Sequence, residues 1–151
     1  MNPLSDIPIA LIPREEELDI SPQPPSSQVL ALLQELRTML DTLITTGESN
    51  SIDIRSLPLM PGDYGAIKHI LGAGEVTATV SAMGPTRIRE TQIPGIWWVT
   101  HCNIREEVLA EIIEVTSIPQ ILQVPHVELQ HASEWLTERI NRFTEHSKPD
   151  A

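Results

Sequence analysis

Cysteine and aromatic residues are scarce in this chain of 151 residues. The single cysteine, Cys102, excludes an internal disulfide, and no Cys-x-x-Cys pair or histidine–cysteine cluster has the spacing of a zinc site. Three tryptophans, one tyrosine and one phenylalanine leave the core to be built mainly from leucine, isoleucine and valine. The length is that of one domain with a core of its own.

Positive charge is also in short supply. Lysine and arginine number 10 against 21 aspartates and glutamates, which gives a formal net charge of −11. Nucleic acids and anionic membrane surfaces are bound by clustered basic residues, so the composition argues against both as partners. The apolar stretch 7–12 is too short for a signal sequence or a membrane span, and no basic segment precedes it. We therefore expect a cytoplasmic protein.

Segment 27–46 has the clearest helical pattern in the chain. Its apolar residues recur at three- and four-residue intervals and lie on one face. They are Val29, Leu32, Leu33, Leu36, Leu40 and Leu43. Ser26 or Ser27 is suited to cap the start of the helix, and Gly47 to follow its end. This helix is a natural cover for a sheet.

Two further helices are predicted. A short one over 61–71 begins with Pro61, which suits the first helical turn, and stops at Gly72. A longer one over 126–145 has a continuous apolar face, with Trp135 beside it. That face consists of Leu129, Ala132, Leu136, Ile140 and Phe143.

Three short strands joined by tight turns form a predicted β-meander. Strand 75–82 alternates apolar and polar residues, and a turn at 83–85 leads into strand 86–93. Pro94-Gly95 makes a second turn, because proline presets φ and glycine accepts positive φ. Strand 96–102 completes the meander. A unit of this size needs a cover on one face.

A fourth strand is predicted over 107–117, where β-branched residues favour strand over helix. Segment 48–59 is polar and then extended. Helices and strands are segregated, so the fold class is α+β: a four-stranded antiparallel sheet with the three helices packed on one face. This domain spans 26–146, between an extended proline-rich arm, 1–25, and a frayed tail, 147–151.

Motifs of catalysis and metal binding are missing. Gly72 and Gly74 precede a strand rather than a helix, so they do not form a phosphate-binding loop. His101 and Cys102 are neighbours on a strand and point to opposite faces, so they cannot act as a pair. The two histidines of the last helix lie five positions apart, which does not align them as ligands. No catalytic, cofactor or metal residue is predicted.

The third strand carries two adjacent tryptophans, Trp97 and Trp98, which must face opposite sides of the sheet. One belongs in the core, and the other either anchors a partner or lies under a helix or the arm. On the second strand, Arg87 and Arg89 share one face and Glu90 takes the other. That pattern indicates a strand with one solvent-exposed face.

Two segments of the meander carry a family resemblance. LGAGEV at 71–76, followed by IRETQIPGIWWV at 88–99, resembles the hydrogenase expression/formation proteins of the HupH/HyaF family. The likeness extends to the helix at 27–40 and to IPQIL at 118–122. The motif positions are Gly74, Glu75, Val76, Glu90, Thr91, Gly95, Trp97 and Val99.

The resemblance implies a role in maturation of [NiFe] hydrogenases. Such proteins act with a thioredoxin-like companion on the hydrogenase small subunit, which holds iron–sulfur clusters, and no catalytic residues are carried over from the family. Longer members carry the domain twice, whereas this sequence has it once. A homodimer would restore the two-copy arrangement.

The favoured hypothesis is therefore a non-catalytic assembly factor, or chaperone, for a [NiFe] hydrogenase. Its candidate partner-binding residues are Trp97, Trp98, Glu90 and Glu75. Two alternatives stay open. One is a homodimeric interaction module for another complex, and the other is a thiol-dependent enzyme that uses Cys102 with a neighbouring acid or base.

Overall fold

A computed structural model describes residues 24–146 of the chain. The predicted tail, and the predicted arm apart from its last two residues, lie outside the described part. The helices are α1 (Ser27–Thr46), α2 (Asp63–Leu71) and α3 (His126–His146). The strands are β1 (Asn50–Asp53), β2 (Thr77–Ser81), β3 (Pro85–Glu90), β4 (Ile96–Cys102) and β5 (Val108–Val115). Short 3-10 turns lie at Ile54–Ser56 and Gln120–Leu122.

The strands form one antiparallel sheet in the order β1-β5-β4-β3-β2. The α+β class and the four predicted strands are confirmed, but the predicted strand count is wrong, because β1 adds a fifth strand. β1 has only four residues, of which Ile52 alone is buried. Its pairing with β5, such as Asn50 opposite Val115, joins distant parts of the chain and leaves no local pattern.

Helix α1 ends where its sequence signals predict. The Ser26 hydroxyl oxygen accepts a hydrogen bond from the Val29 amide, and the Gly47 amide donates to the Leu43 carbonyl. Helix α2 starts two residues later than predicted, because residues 60–63 form a turn before it: the Asp63 amide donates to the Met60 carbonyl, and the Asp63 carboxylate accepts from the Met60 amide at 2.8 Å.

The larger core lies between these two helices and one half of the sheet. Side chains from α1 and α2 pack on residues of β1, β5 and β4. The buried members are Val29, Leu32, Leu36, Ile52, Ile54, Ile67, Leu71, Ile96, Trp98, Ile113 and Val115. Neither β2 nor β3 contributes to this cluster, so half of the helix-side face stays uncovered. A smaller cluster on the opposite face contains Ile88, Trp97 and Val99, with Leu122 against it.

The predicted packing of the last helix on the sheet is wrong. Every residue of α3 is exposed, and its apolar face is no exception: Leu136 is 59 % exposed and Ile140 is 54 % exposed. Periodicity shows that a helix has an apolar face, but not which surface covers it, and α1 and α2 already occupy the apolar half of the helix-side face. Among the described helices, none is long and apolar enough to cross a membrane.

Gly84 lies in the turn between β2 and β3, where this turn packs against the backbone at the end of β4. Substituting it tests how closely the two segments approach. Its φ is +137°, and a Cβ there would lie 2.2 Å from the Cys102 carbonyl oxygen. We expect Gly84→Ala to lower the free energy of unfolding by about 2 kcal/mol or more, because strain and backbone overlap add. Gly65→Ala is the matched control in α2, where the added methyl meets open space. It should stabilise by roughly 0.5–1 kcal/mol. Urea unfolding measures both, and equal effects would contradict the turn geometry.

Candidate functional site

A buried carboxylate lies at the centre of the candidate site. Glu111 on β5 points to the helix side of the sheet and is only 8 % exposed. Its Oε1 accepts hydrogen bonds from the Tyr64 hydroxyl at 2.5 Å and from the Trp98 indole nitrogen at 3.2 Å. Burying a carboxylate is costly unless donors replace its water, and these two donors do so.

Lys68 completes the group around Glu111. It stands one turn after Tyr64 on α2, so both side chains share a face of that helix. The Lys68 ammonium lies 3.9 Å from Glu111 Oε1, 4.5 Å from the Tyr64 ring centroid and 5.0 Å from the Trp98 ring centroid. The two rings meet edge to face at 5.7 Å. One cation therefore contacts a carboxylate and two aromatic faces.

The pKa of the Tyr64 hydroxyl is raised well above its ordinary value. Burial is the main cause, followed by the hydrogen bond to the Glu111 carboxylate and then by its negative charge. The positive charges of Arg89 and Arg55 oppose the shift but do not cancel it. Tyr64 is therefore a neutral hydrogen-bond donor at ordinary pH, and not a base.

The uncovered half of the face adds two more cations. The register places Arg87 opposite Thr100 and Arg89 opposite Trp98, so both arginines point to the helix side. This confirms that β3 has a solvent-exposed face. A groove of about 520 Å³ runs between α2 and these strands. We call it the cationic groove; its charged and aromatic lining is Tyr64, Lys68, Arg87, Arg89, Trp98 and Glu111.

A second cavity of about 460 Å³ adjoins the cationic groove. The two share Lys68, Arg89 and Trp98, and the second continues along the segment that joins α2 to β2 and the turn after β3. Its other lining residues are His69, Gly72, Ala73, Glu90, Thr91 and Gln92. A continuous concave surface therefore follows the edge of α2.

Only part of the predicted partner-binding set reaches this surface. Trp98 lines both cavities, and the half-buried Glu90 lines the second. Trp97 is buried on the opposite face, where its indole nitrogen donates to the Thr116 carbonyl at 3.0 Å. Glu75 is exposed and lines neither cavity. Both members of the tryptophan pair are covered; the exposed tryptophan is Trp135 on α3, at 62 %.

The Cys102 thiol is not paired with its neighbour His101, as an activated nucleophile would be with a base. Cys102 is buried, with the Arg87 guanidinium 3.6 Å from its sulfur. His101 turns to the opposite face, as predicted, and its Nδ1 lies 3.0 Å from the Thr86 hydroxyl. Within residues 24–146, no group of three or more histidine, cysteine, aspartate or glutamate side chains is arranged to hold a metal ion.

Sequence reasoning missed the Tyr64–Lys68–Glu111 group. In the sequence, Glu111 is an acidic residue that alternates with apolar ones on the last strand, between Leu109 and Ile113. An isolated acid on a buried strand face calls for a donor. Its donors come from α2 and β4, at distant positions in the chain, so no local motif names them.

Comparison with known proteins assigns the chain to a family. Residues 27–143 match the family described as HupH hydrogenase expression protein, C-terminal conserved region. The chain belongs to this family, as its motifs predict.

Individual relatives carry matching names. The chain is 33% identical over 112 residues to the hydrogenase expression/formation protein HupQ of Azotobacter chroococcum mcd 1, covering 74% of this chain and 37% of that one. It is 32% identical over 89 residues to HoxQ of Azotobacter vinelandii, covering 59% and 31%. The chain thus spans about a third of the length of these curated relatives.

A solved structure covers the domain more fully. The hydrogenase expression protein HupH from Thiobacillus denitrificans ATCC 25259 superposes with a TM-score of 0.73 at 36% sequence identity. The match covers 79% of this chain and 99% of that one. The fold described above is therefore shared with nearly the whole of that solved chain.

The raised pKa of Tyr64 is directly measurable, because Tyr64 is the only tyrosine in the chain. Its tyrosinate absorbance should appear only well above pH 10, whereas the denatured chain should titrate near pH 10 (about the ordinary value). Because the folded-state pKa is the higher one, the stability from neutral Tyr64 is complete below about pH 10 and is lost as pH rises through the folded value.

Glu111→Gln tests the cause of this shift. Glutamine keeps an oxygen acceptor but removes the negative charge, so the pKa of Tyr64 should fall part of the way back. Glu114→Gln, on the same strand but facing the other side, is the control and should leave the titration unchanged. Identical titration curves for the folded and denatured chains would contradict the buried Tyr64–Glu111 contact.

Proposed function

We propose that this chain is a non-catalytic assembly factor in the maturation of a [NiFe] hydrogenase, and that it holds an immature subunit before assembly. The observation that carries the proposal is the match to the Thiobacillus denitrificans hydrogenase expression protein over nearly all of that chain's length. The family match over 27–143 supports it independently of that structure. The client we favour is the iron–sulfur small subunit, and the place of action is the cytoplasm.

The chemistry of the candidate site favours holding over catalysis. The Glu111 carboxylate is engaged by two donors, and the raised pKa of Tyr64 keeps its hydroxyl protonated, so Tyr64 is not available as a base at ordinary pH. Proton transfer needs a group whose pKa lies near the working pH. Cys102 is buried, and the neighbouring His101 turns to the opposite face of the sheet, which disfavours the thiol-enzyme alternative. A groove lined by cations and aromatic rings suits reversible contact with a partner.

Two partners are proposed from the family resemblance. The hydrogenase small-subunit precursor is the client, and a thioredoxin-like maturation protein is the companion. Trp98 and Glu90 are the proposed contact residues that line the concave surface. Trp97 and Glu75 are also proposed to contribute to partner binding. Because the Trp97 side chain is buried, it would do so indirectly, by stabilising the sheet.

Affinity capture tests the client. The tagged chain, produced in cells that make a [NiFe] hydrogenase and its maturation proteins, should recover the small-subunit precursor in clear excess over the large subunit. The same capture from cells without the small-subunit gene is the control. Recovery of neither subunit, with or without the thioredoxin-like companion, would rule out the proposal; recovery of the large subunit alone would reassign the client.

A homodimeric module is a second candidate, favoured by the exposed apolar face of α3. An amphipathic helix gains most of its stability from packing that face, yet in this chain Leu129, Leu136 and Ile140 are each more than half exposed. A second copy would supply a matching face and give two domains per particle, as the longer relatives are predicted to have in one chain.

Sedimentation equilibrium tests this second candidate. A species of two chains should form, and Leu136→Gln should weaken its association by about tenfold, since a central apolar contact of about 1.4 kcal/mol would be lost. Glu138→Gln, on the polar side of the same helix, should leave it unchanged. A monomer at every concentration, or equal effects of both substitutions, would contradict the homodimer.

A further inference from the structure

The cationic groove ends at a strand edge with which no other strand of residues 24–146 pairs. β2 is the outermost strand on this side of the sheet and contains no charged residue or proline. The Glu90 amide donates to the Val76 carbonyl, which fixes the hydrogen-bonding pattern. The even-numbered residues of β2 therefore direct their backbone amides and carbonyls to β3. In an antiparallel ladder the alternate positions, Thr77 and Thr79, then point their amides and carbonyls outward. Such an edge is a template for another strand.

Positive charge is concentrated beside this edge. Of the chain's 10 lysines and arginines, three line the groove: Lys68, Arg87 and Arg89. The carboxylate that lines it, Glu111, already accepts from two donors. Among residues 24–146, Arg89 forms no ion pair, and the one ion pair of Arg87 is an exposed contact of 3.4 Å to Glu106, beside its contact to the Cys102 sulfur. An exposed pair of this kind is weak and exchanges readily.

The register connects the charges to the edge. Thr77 lies opposite Arg89 and Thr79 opposite Arg87, and all four side chains point to the helix side. A strand added along β2 would lie about 4.8 Å further out. Every second side chain of that strand would face the helix side, within reach of the long arginine side chains. The ladder would therefore set carboxylates at alternate positions against the cations of β3.

We propose that the outer edge of β2 binds an extended peptide segment with carboxylate side chains at alternate positions, and that the cationic groove receives those carboxylates. Backbone hydrogen bonds to the edge would supply affinity, and the groove would select acidic side chains. The formal charge of −11 opposes a long polyanion such as a nucleic acid, and nucleic acid cannot pair with a strand edge. The proposal goes beyond the function proposed above, because it defines a peptide class whether or not its source is a hydrogenase subunit.

Peptide titration tests this site on the full chain. The probe is a short, capped, fluorescently labelled peptide of alternating glutamate and valine, and its partner probe has glutamine in place of glutamate. Fluorescence anisotropy should show binding of the acidic peptide at low salt, at least about tenfold weaker binding of the glutamine peptide, and loss of affinity as salt rises.

Three variants separate charge from edge pairing. Arg89→Gln should weaken binding by about tenfold, since one charge contact is lost. Thr79→Pro keeps every cation but removes an outward amide, and it should also weaken binding by about tenfold. Arg37→Gln, on the exposed side of α1, carries the same charge change outside the groove and should bind as the unaltered chain does. Circular dichroism establishes that each variant is folded.

Three results would overturn the proposal. One is equal binding of the glutamate and glutamine peptides. A second is equal loss for Arg89→Gln and Arg37→Gln, because binding would then follow net charge alone. The third is tighter binding of a single-stranded oligonucleotide of the same charge. Each result is separate from the capture experiment, so the hydrogenase client can stand or fall independently of this site.

Discussion

The buried carboxylate of Glu111 is the constraint on which this end of the molecule depends. A carboxylate removed from water needs donors, and the sheet alone provides only the Trp98 indole. The second donor, Tyr64, comes from α2, so satisfying Glu111 fixes α2 against the sheet and brings Lys68 over the aromatic rings. Removing Glu111 would leave the Tyr64 hydroxyl and the Trp98 indole without the acceptor that they share, so these side chains depend on one another. The cationic groove lies immediately beyond them.

The same sheet face changes character from one side to the other. On the β1, β5 and β4 side, apolar residues such as Ile113 and Ile96 accept the cover of α1 and α2. On the β3 and β2 side, arginines and threonines point in the same direction, and such a surface gains little from an apolar cover. The groove is thus a consequence of two side-chain patterns meeting on one face, and α2 forms the wall between them.

Local pattern predicts the elements of this fold well and their packing poorly. The bounds of α1 and of β4 agree with prediction, because caps, periodicity and alternation are read within a few residues. β1 escapes prediction because a four-residue strand is specified by its partner. Alternation along the strand predicts that Trp97 and Trp98 face opposite sides, but it does not predict that both are buried. The indole of Trp97, for example, donates a hydrogen bond to the Thr116 carbonyl, 19 residues away in the sequence. Glu111 depends on Tyr64, 47 residues away, which no local pattern connects.

The residues that make the family recognisable are largely different from those that make the groove. Thr91, a motif position, is buried, and its hydroxyl donates to the Ile96 carbonyl and accepts from the Ile93 amide, which closes the turn between β3 and β4. Trp97, another motif position, braces the far face of the sheet. Three main groove residues, Lys68, Arg87 and Glu111, stand outside the motif positions. In this chain the motif positions thus serve mainly the turns and the far face of the sheet, whereas the charges of the cationic groove come from α2, β3 and β5.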